Sequence, residues 1–494
     1  MRRIIKVTSI LGIASLVKIF SGLARAKFLA WQLGPAGMGV VGQASMYSAF
    51  TVQLCGLNMG IGITKTVSEK IAQGKEADVR VAVNTAATIQ LVASIAFIIM
   101  VLPFSGFLAR FVFSDPKYWI FFVGITLVTP FTVYMTSVTD PVFYGYRKIA
   151  DFTRITIIYT LLGLMLLFVL VTNYKIEGVF IQILVLSVSG FALSYYFIAK
   201  KLSLRLRLKF DLFKDSSSRA LLKELFKYGL ISFIPSNVGM FVTLYLRGLF
   251  MNKYGVEANG FYQVAYAVSA YYLPFVTNGI WGHFYPEMCA LKEDKDINRT
   301  LNQFIRFALF ASTGIAALCI IFRKFMIHIL FSGKFMMSYD LLAIQATGDI
   351  FFVLFYMFGA ALIARKKFKS VLLISTLGYN AVLIAAYYLV SNVFGAGYCS
   401  LNVAIALASV ILVVTNILYS GFDTGFKVSL NNAALFIKSA ILISLVLLIP
   451  GSGIAVILIK LGLILIWLFF SATRQEIDSA NIAVRSFFDR KRGA

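Results

Sequence analysis

An apolar stretch near the start of the chain, residues 8–34, constrains what this sequence can fold into. It is long and apolar enough to cross a membrane as a helix, yet it contains Lys18 and Arg25. Residues seven positions apart lie on nearly the same face of a helix. A cation within the hydrocarbon layer costs about 2.5–3.5 kcal/mol on insertion scales. We therefore predict that this face lines a water-filled cavity that accepts an anion.

The rest of the chain has the composition of a multi-pass membrane protein. Of its 494 residues 60% are hydrophobic and only 14% are charged, and apolar runs long enough to span a bilayer recur along the whole sequence. This pattern predicts an all-α fold with about fourteen transmembrane helices. The predicted spans are 8–32, 37–62, 81–103, 118–138, 155–172, 178–199, 228–251, 260–284, 304–322, 340–363, 370–390, 398–419, 434–450 and 452–471.

The positively charged residues are concentrated in loops between the predicted spans and do not indicate a nucleic-acid-binding surface. The net charge is +25, but most of the 46 lysines and arginines fall in alternate loops between the predicted spans. Cytoplasmic loops of membrane proteins carry such an excess. We therefore predict that both termini are cytoplasmic and that nucleic acid is not a partner. The N-terminal apolar segment resembles a secretory signal, but Lys18 interrupts its core, so we expect an uncleaved first helix.

A repeated glycine motif divides the chain. Gly34 and Gly39 follow Arg25, and Gly255 and Gly260 follow Arg247 at the same glycine spacing. Each motif ends the first helix of a predicted six-helix unit, which indicates a parallel internal repeat. The predicted domains are an N-lobe at 1–199, a basic cytoplasmic linker at 200–227, a C-lobe at 228–419, two extra spans within 420–471 and a cytoplasmic tail at 472–494.

The candidate site residues follow from this division. Arg247 repeats the position of Arg25, so we predict that Lys18, Arg25 and Arg247 bind an anionic substrate in a central cavity between two lobes that face each other. Asp349 is an acid well inside a predicted span and is a candidate carrier of a proton or sodium ion. The predicted packing and hinge residues are Gly22, Gly34, Pro35, Gly39 and Pro235.

Three other charged residues have weaker assignments. Lys27 lies on another helix face, and we expect it to reach the outer interface. Asp140, before a proline, is expected to be interfacial. Lys460 is within the last predicted span, and the sequence does not choose between an interfacial and a cavity position.

Enzyme and cofactor motifs are not supported. Residues 37–42 match a dinucleotide-binding pattern, but no strand precedes them, and close helix packing explains the glycines better. The four cysteines and two histidines have no metal-ligand spacing. We find no nucleophile–base arrangement and no paired catalytic carboxylates. We therefore predict no catalytic residue, no metal and no cofactor beyond a coupling ion.

The motif at residues 8–43, together with Gly60 to Lys65, Tyr254 to Gln263 and Tyr285 to Glu287, resembles the Wzx-type polysaccharide transporter family. These flippases belong to the multidrug/oligosaccharidyl-lipid/polysaccharide exporter superfamily. The resemblance implies a V-shaped, two-lobed inner-membrane protein that moves an undecaprenyl-pyrophosphate-linked oligosaccharide, such as an O-antigen unit, from the cytoplasmic to the periplasmic leaflet by alternating access, with ion-gradient coupling. Its partners would be that glycan, membrane lipids, and the polymerase and chain-length regulator of the pathway. The two extra C-terminal spans depart from the twelve-helix pattern.

Other functions remain open. The chain could flip another lipid-linked anion, such as a peptidoglycan precursor. A drug or organic-cation antiporter of the same superfamily would need a carboxylate in the first lobe's cavity, whereas the first span contains only cations. A membrane-embedded glycan polymerase or ligase would be expected to have a large outer loop, and the predicted outer loops are short.

Overall fold

The computed structural model describes the backbone of residues 2–204 and 216–472, and side chains from residue 14 onward except most of those between 205 and 232. Within these ranges the chain is helical and contains no strand. The predicted tail lies outside the described residues from position 473, as does the middle of the predicted linker. The α-helices are α1 (Arg2–Cys55), α2 (Gly60–Ala72), α3 (Glu76–Val101), α4 (Ser105–Phe113), α5 (Trp119–Val133), α6 (Asp140–Gly145), α7 (Ile149–Leu202), α8 (Ser216–Tyr254), α9 (Val256–Gly279), α10 (Tyr285–Ala290), α11 (Asp294–Leu330), α12 (Ser338–Ala364), α13 (Phe368–Ser370), α14 (Tyr379–Tyr388), α15 (Ser400–Thr424), α16 (Leu430–Leu448) and α17 (Ile454–Ser471).

Many of these helices are long enough to cross a membrane. Nine helical segments in the described part of the chain are long and apolar enough to cross a bilayer. In lipid every backbone polar group must be satisfied within the protein, which explains why such apolar segments are helical. One of the nine, Ile149–Leu202, has 54 residues and is interrupted at Lys175 (φ 50°, ψ −122°), so it contains two of the predicted spans. α1 is likewise two helices that meet at Gly34 (φ 65°, ψ −169°). The total of fourteen stays a prediction.

Turns of matching geometry recur about 220 residues apart. The turns at Arg147 and Lys366 share one hydrogen-bond pattern. In each, the amide of the positive-φ residue donates to the carbonyl three residues before it, and the next amide donates to the carbonyl five residues before it. These correspondences support the internal repeat. The matched positive-φ pairs are Gly34 and Gly255, Arg147 and Lys366, and Lys175 and Gly395.

The chain divides into two compact units. The first comprises Met1–Ala267, Ile327–Leu341 and Phe368–Ile405. Its apolar core includes one cluster around Phe143 and another around Phe113 and Phe122. The predicted lobe boundaries at 199 and 228 stay a prediction. In the described residues around the predicted linker, α7 continues to Leu202 and α8 begins at Ser216.

The second unit comprises Val268–Met326, Leu342–Lys367 and Ala406–Ala494. Within it the two predicted extra spans correspond to α16 and α17. Trp467 of α17 stacks on Phe310 of α11 at 4.9 Å between ring centroids. Lys460 is buried within this unit, with 3% of its surface exposed. The extra helices are therefore packed into the second unit.

Candidate substrate cavity

One cavity of the first unit brings Lys18 and Arg25 together. Its volume is about 210 Å³, and α1 and α7 form its walls. Lys18 is exposed and Arg25 is partly exposed, so both are accessible to a ligand. Gly22 lies between them on the same wall, as their helical spacing predicts. The lining residues are Lys18, Ser21, Gly22, Arg25, Tyr159, Thr160, Gly163, Leu164, Gln182 and Leu186.

The α7 wall of this cavity was not predicted from the sequence. Gln182 donates a hydrogen bond to the carbonyl of Gly163 at 3.2 Å, which links the two halves of α7 across their break at Lys175. The side-chain amide oxygen of Gln182 is buried and makes no hydrogen bond within the described structure. Arg25 also acts electrostatically on Tyr159. The cavity thus combines two cations with hydroxyl and amide groups, a set suited to a hydrated anion.

Arg247 is buried and hydrogen-bonded, and its predicted role in substrate binding stays a prediction. Only 2% of its surface is exposed, and it is absent from the lining of the Lys18–Arg25 cavity. Its Nε donates to Asn259 at 3.1 Å, and a terminal nitrogen donates to Gln263 at 2.8 Å. The guanidinium also lies 5.1 Å from the ring centroid of Tyr262. Two neutral amides and an aromatic ring therefore contact the guanidinium of Arg247.

Close backbone contacts surround Arg247. Asn259 donates to the carbonyl of Gly39 at 2.7 Å. A Cβ atom on Gly39 would lie 2.1 Å from the carbonyl oxygen of Val256, and one on Gly260 would lie 1.9 Å from that of Pro35. The second half of α1 and the first turn of α9 therefore meet where only glycine fits.

The remaining predicted hinge residues have distinct positions. Gly34 has positive φ, and a Cβ there would meet nothing within 4 Å, so it forms a turn rather than a packing contact. Pro35 opens the second half of α1, where a missing amide proton does no harm. α8 stays helical through Pro235. Lys27 is exposed and donates to the carbonyl of His328 at 2.8 Å, near the end of α11.

Asp349 lies in the second unit and accepts hydrogen bonds from neutral groups. Ser269 donates to Oδ2 at 2.5 Å, Tyr272 donates to the same oxygen, and Gln345 donates to Oδ1 at 2.8 Å. The carboxyl group is buried, with 4% of the residue exposed. Buried carboxylates need such donors, and these three can serve either a charged or a protonated acid. Gln345 lies one helical turn before Asp349, whereas the two hydroxyl donors are distant in sequence and were not predicted.

Metal chemistry has no evident site among the residues that the structure describes. No group of three or more His, Cys, Asp or Glu side chains is placed to hold an ion there.

We expect Arg247→Ala to lower the free energy of unfolding by about 2–4 kcal/mol, because it leaves buried amide groups unpaired and opens a cavity. The measurement is the thermal unfolding midpoint of the purified protein in detergent. Lys117→Ala is the control, because that exposed lysine pairs with Asp115 and Tyr118 nearby, and surface pairs contribute about 0–1 kcal/mol. Equal midpoints for both variants would show that the Arg247 contacts do not stabilise the fold.

Comparison with known proteins identifies the family. The sequence model for the family described as "Polysaccharide biosynthesis protein" matches residues 28–340, more than half of the chain. The chain belongs to this family. Its sequence is also 26% identical over 383 residues to the lipid III flippase of Escherichia coli K12, covering 76% of this chain and 89% of that protein. A lipid III flippase of Shigella flexneri matches to the same extent.

Solved structures show the same fold. The lipid II flippase MurJ in an inward closed conformation has a TM-score of 0.65 at 17% identity, covering 93% of this chain and 97% of that one. An inward-facing MATE family multidrug transporter of the MOP superfamily has a TM-score of 0.63 at 13% identity, covering 83% and 98%. The chain is therefore an all-helical, multi-pass membrane protein with the fold of this superfamily. The predicted resemblance is confirmed, and these relatives are named as flippases or transporters rather than enzymes.

Proposed function

We propose that this chain is an inner-membrane flippase. Its substrate would be an undecaprenyl-pyrophosphate-linked oligosaccharide of the O-antigen type, moved from the cytoplasmic to the periplasmic leaflet by alternating access. Both termini would be cytoplasmic. The polysaccharide family and the similarity to a lipid III flippase support a lipid-linked glycan as the substrate class. The observation that carries the proposal is the shared cavity of Lys18 and Arg25.

The physical need for such a cavity follows from the substrate. A diphosphate and its sugars cannot cross about 30 Å of hydrocarbon without a polar path, whereas an apolar prenyl chain dissolves in that layer. Lys18 and Arg25 offer two positive charges on one helix face. Arginine presents a planar fork of donors that matches phosphate oxygens, and lysine adds a point charge. In this function Arg247 would join them only in a conformation that releases its amide partners.

Transport can be tested directly in proteoliposomes. Purified protein is reconstituted with a fluorescent undecaprenyl-pyrophosphate-linked oligosaccharide, and movement between leaflets is followed by quenching of the outer leaflet. We expect flipping that depends on the protein and on the diphosphate. The absence of protein-dependent movement for any glycan-linked diphosphate would overturn the proposal.

The same assay separates the alternatives. A preference for lipid II would favour the peptidoglycan precursor, and efflux of an organic cation would favour the antiporter. One observation bears on the antiporter: Asp140 of α6 acts electrostatically on Lys18, so the first unit does hold a carboxylate near the cavity. Because Lys18 and Arg25 outnumber it, we expect the anion to be preferred.

Ion coupling would use Asp349. Its three neutral donors hold the carboxyl group without a fixed counter-cation among the hydrogen bonds that the structure describes. A site of this kind can exchange a proton, or a sodium ion ligated by the same oxygens, as the protein changes conformation. The pathway's polymerase and chain-length regulator, together with membrane lipids, complete the proposed set of partners.

We expect Asp349→Asn to remove the dependence of flipping on the ion gradient, because an amide keeps hydrogen bonding but cannot gain or lose the charge. The readout is the flipping rate with and without an imposed proton or sodium gradient. Asp340→Asn is the matched control, because Asp340 is an exposed residue in the first turn of the same helix. A gradient dependence of wild-type strength in Asp349→Asn would exclude this acid as the coupling group.

A further inference from the structure

A second cavity of the first unit is larger than the one that contains Lys18 and Arg25. Its volume is about 560 Å³, within the 300–1,000 Å³ typical of small-molecule sites. Asp140, expected from the sequence to be interfacial, lies in its wall. The lining residues are Asn58, Gly60, Ile61, Thr64, Lys65, Ser68, Thr136, Asp140, Pro141 and Tyr144.

Local backbone features direct Asp140 into this cavity. A π-helical turn, Tyr134–Thr139, precedes it and Pro141 follows it. Such turns alter which way the next side chains point and are frequent at functional sites. Opposite, Asn58 has a left-handed backbone conformation with φ 52°, which is uncommon outside glycine. Thr64 donates to the carbonyl of Pro141 at 3.1 Å and holds the two walls together.

The carboxylate of Asp140 is available to a ligand. Among the residues that the structure describes, no hydrogen bond or ion pair to it occurs, and the residue is only partly buried. Lys18 interacts electrostatically with this carboxylate. A carboxylate at a cavity wall next to hydroxyl, amide and ammonium groups can accept hydrogen bonds from neighbouring hydroxyls of one ligand.

An aromatic ring completes the site. Tyr144 is 41% exposed, and Phe152 supports it at 4.8 Å between ring centroids. A sugar ring has an apolar face of C–H bonds and a rim of hydroxyl groups. It therefore needs an aromatic surface on one side and convergent polar groups on the other, and Tyr144 with Asp140 supplies both.

The two cavities are neighbours. Tyr159 of the Lys18–Arg25 cavity is within electrostatic range of both Arg25 and Asp140. Counted from the turn at Arg147, Asp140 and Tyr159 differ in depth by roughly 8 Å at 1.5 Å per residue. A ligand whose phosphates contact Arg25 can therefore extend its sugars as far as Asp140.

We propose that this cavity is the glycan subsite of the flippase, in which Asp140 and Tyr144 bind a neutral sugar ring distal to the diphosphate. The inference rests on the proposed function. It assigns lipid-diphosphate recognition to one cavity and sugar recognition to the other. It also predicts discrimination against acidic sugars at this position, since two carboxylates repel one another.

The test compares two substrates in proteoliposomes: undecaprenyl pyrophosphate carrying one sugar, and the same lipid carrying a neutral oligosaccharide. Asp140→Asn and Tyr144→Ala should each raise the KM for the oligosaccharide about tenfold or more, and the KM for the single sugar by a smaller factor. Tyr144→Phe should lose less than Tyr144→Ala because the ring face remains. Asp151→Asn, which removes an acid paired with Arg154 outside the cavity, is the control and should change neither KM.

The KM values are compared only for variants whose unfolding midpoints equal that of the wild type. Equal loss for both substrates in Asp140→Asn and Tyr144→Ala would overturn the subsite while leaving the proposed function intact. A wild-type protein that moves neither substrate would overturn the proposed function and, with it, the subsite. If a variant unfolds early, Asp140→Glu and Tyr144→Trp replace it, and an unchanged ratio of the two KM values in both then overturns the subsite.

Discussion

Gly260→Ala should lower the flipping rate more than tenfold. It should also lower the free energy of unfolding by more than the ~1–3 kcal/mol usual for an overpacked site. The added Cβ would lie 1.9 Å from the carbonyl oxygen of Pro35. Because that neighbour is backbone, no side-chain rotation can relieve the clash. The contact between α1 and α9 would have to open, and the conformation described above would be lost from the transport cycle.

The measurements are the flipping rate in proteoliposomes and the thermal unfolding midpoint. Gly39→Ala should behave in the same way, because its Cβ would lie 2.1 Å from the carbonyl oxygen of Val256. Gly239→Ala is the control: it is a helical glycine whose Cβ would meet nothing within 4 Å, and alanine there should be tolerated. Wild-type flipping and stability in Gly260→Ala would refute the role of this contact.

Arg25→Ala should reduce flipping of a lipid diphosphate at least a hundredfold, because hydrogen bonds to a charged group contribute about 1.5–3 kcal/mol and the charge attraction is lost with them. Arg25→Lys should retain part of the activity, since it keeps the charge and loses the fork of donors. Flipping by purified protein and surface glycan in a complemented strain would both report the effect.

Lys27→Ala is the matched control for Arg25→Ala. Lys27 is a cation two residues further along the same helix, but it is exposed and donates to the carbonyl of His328 instead of lining the cavity. Its loss should change flipping little. If Arg25→Ala and Lys27→Ala were equally active at equal protein level, the anion-binding role of the cavity would have to be abandoned.

Helical periodicity and membrane physics were sufficient to predict much of this protein. Lys18, Gly22 and Arg25 share a wall because residues seven apart share a helix face, and no tertiary information is needed for that. The all-helical architecture follows from the length of the apolar runs. The repeated Gly-x-x-x-x-Gly spacing likewise pointed to Gly39 and Gly260, which meet backbone atoms at short range.

Contacts between segments that are distant in the chain could not be predicted from the sequence. Asn259 and Gln263 surround Arg247 because α9 packs beside α8, and nothing in their spacing distinguishes an amide that binds arginine from one that lines a cavity. The sequence likewise showed no sign of the π-helical turn that precedes Asp140, or of the cavity that this residue lines. The two hydroxyl donors to Asp349 come from α9, about 80 residues earlier in the chain.

The paired turns at Arg147 and Lys366, and at Lys175 and Gly395, match what an internal duplication is expected to leave, because backbones diverge more slowly than sequences. Two copies of an ancestral half need not preserve the same chemistry. Here the first copy carries Lys18 and Arg25 on a cavity wall, and the second carries Asp349 at a buried position. If these residues act as proposed, the first copy binds the substrate and the second binds the coupling ion, so a substitution in one site need not impair the other.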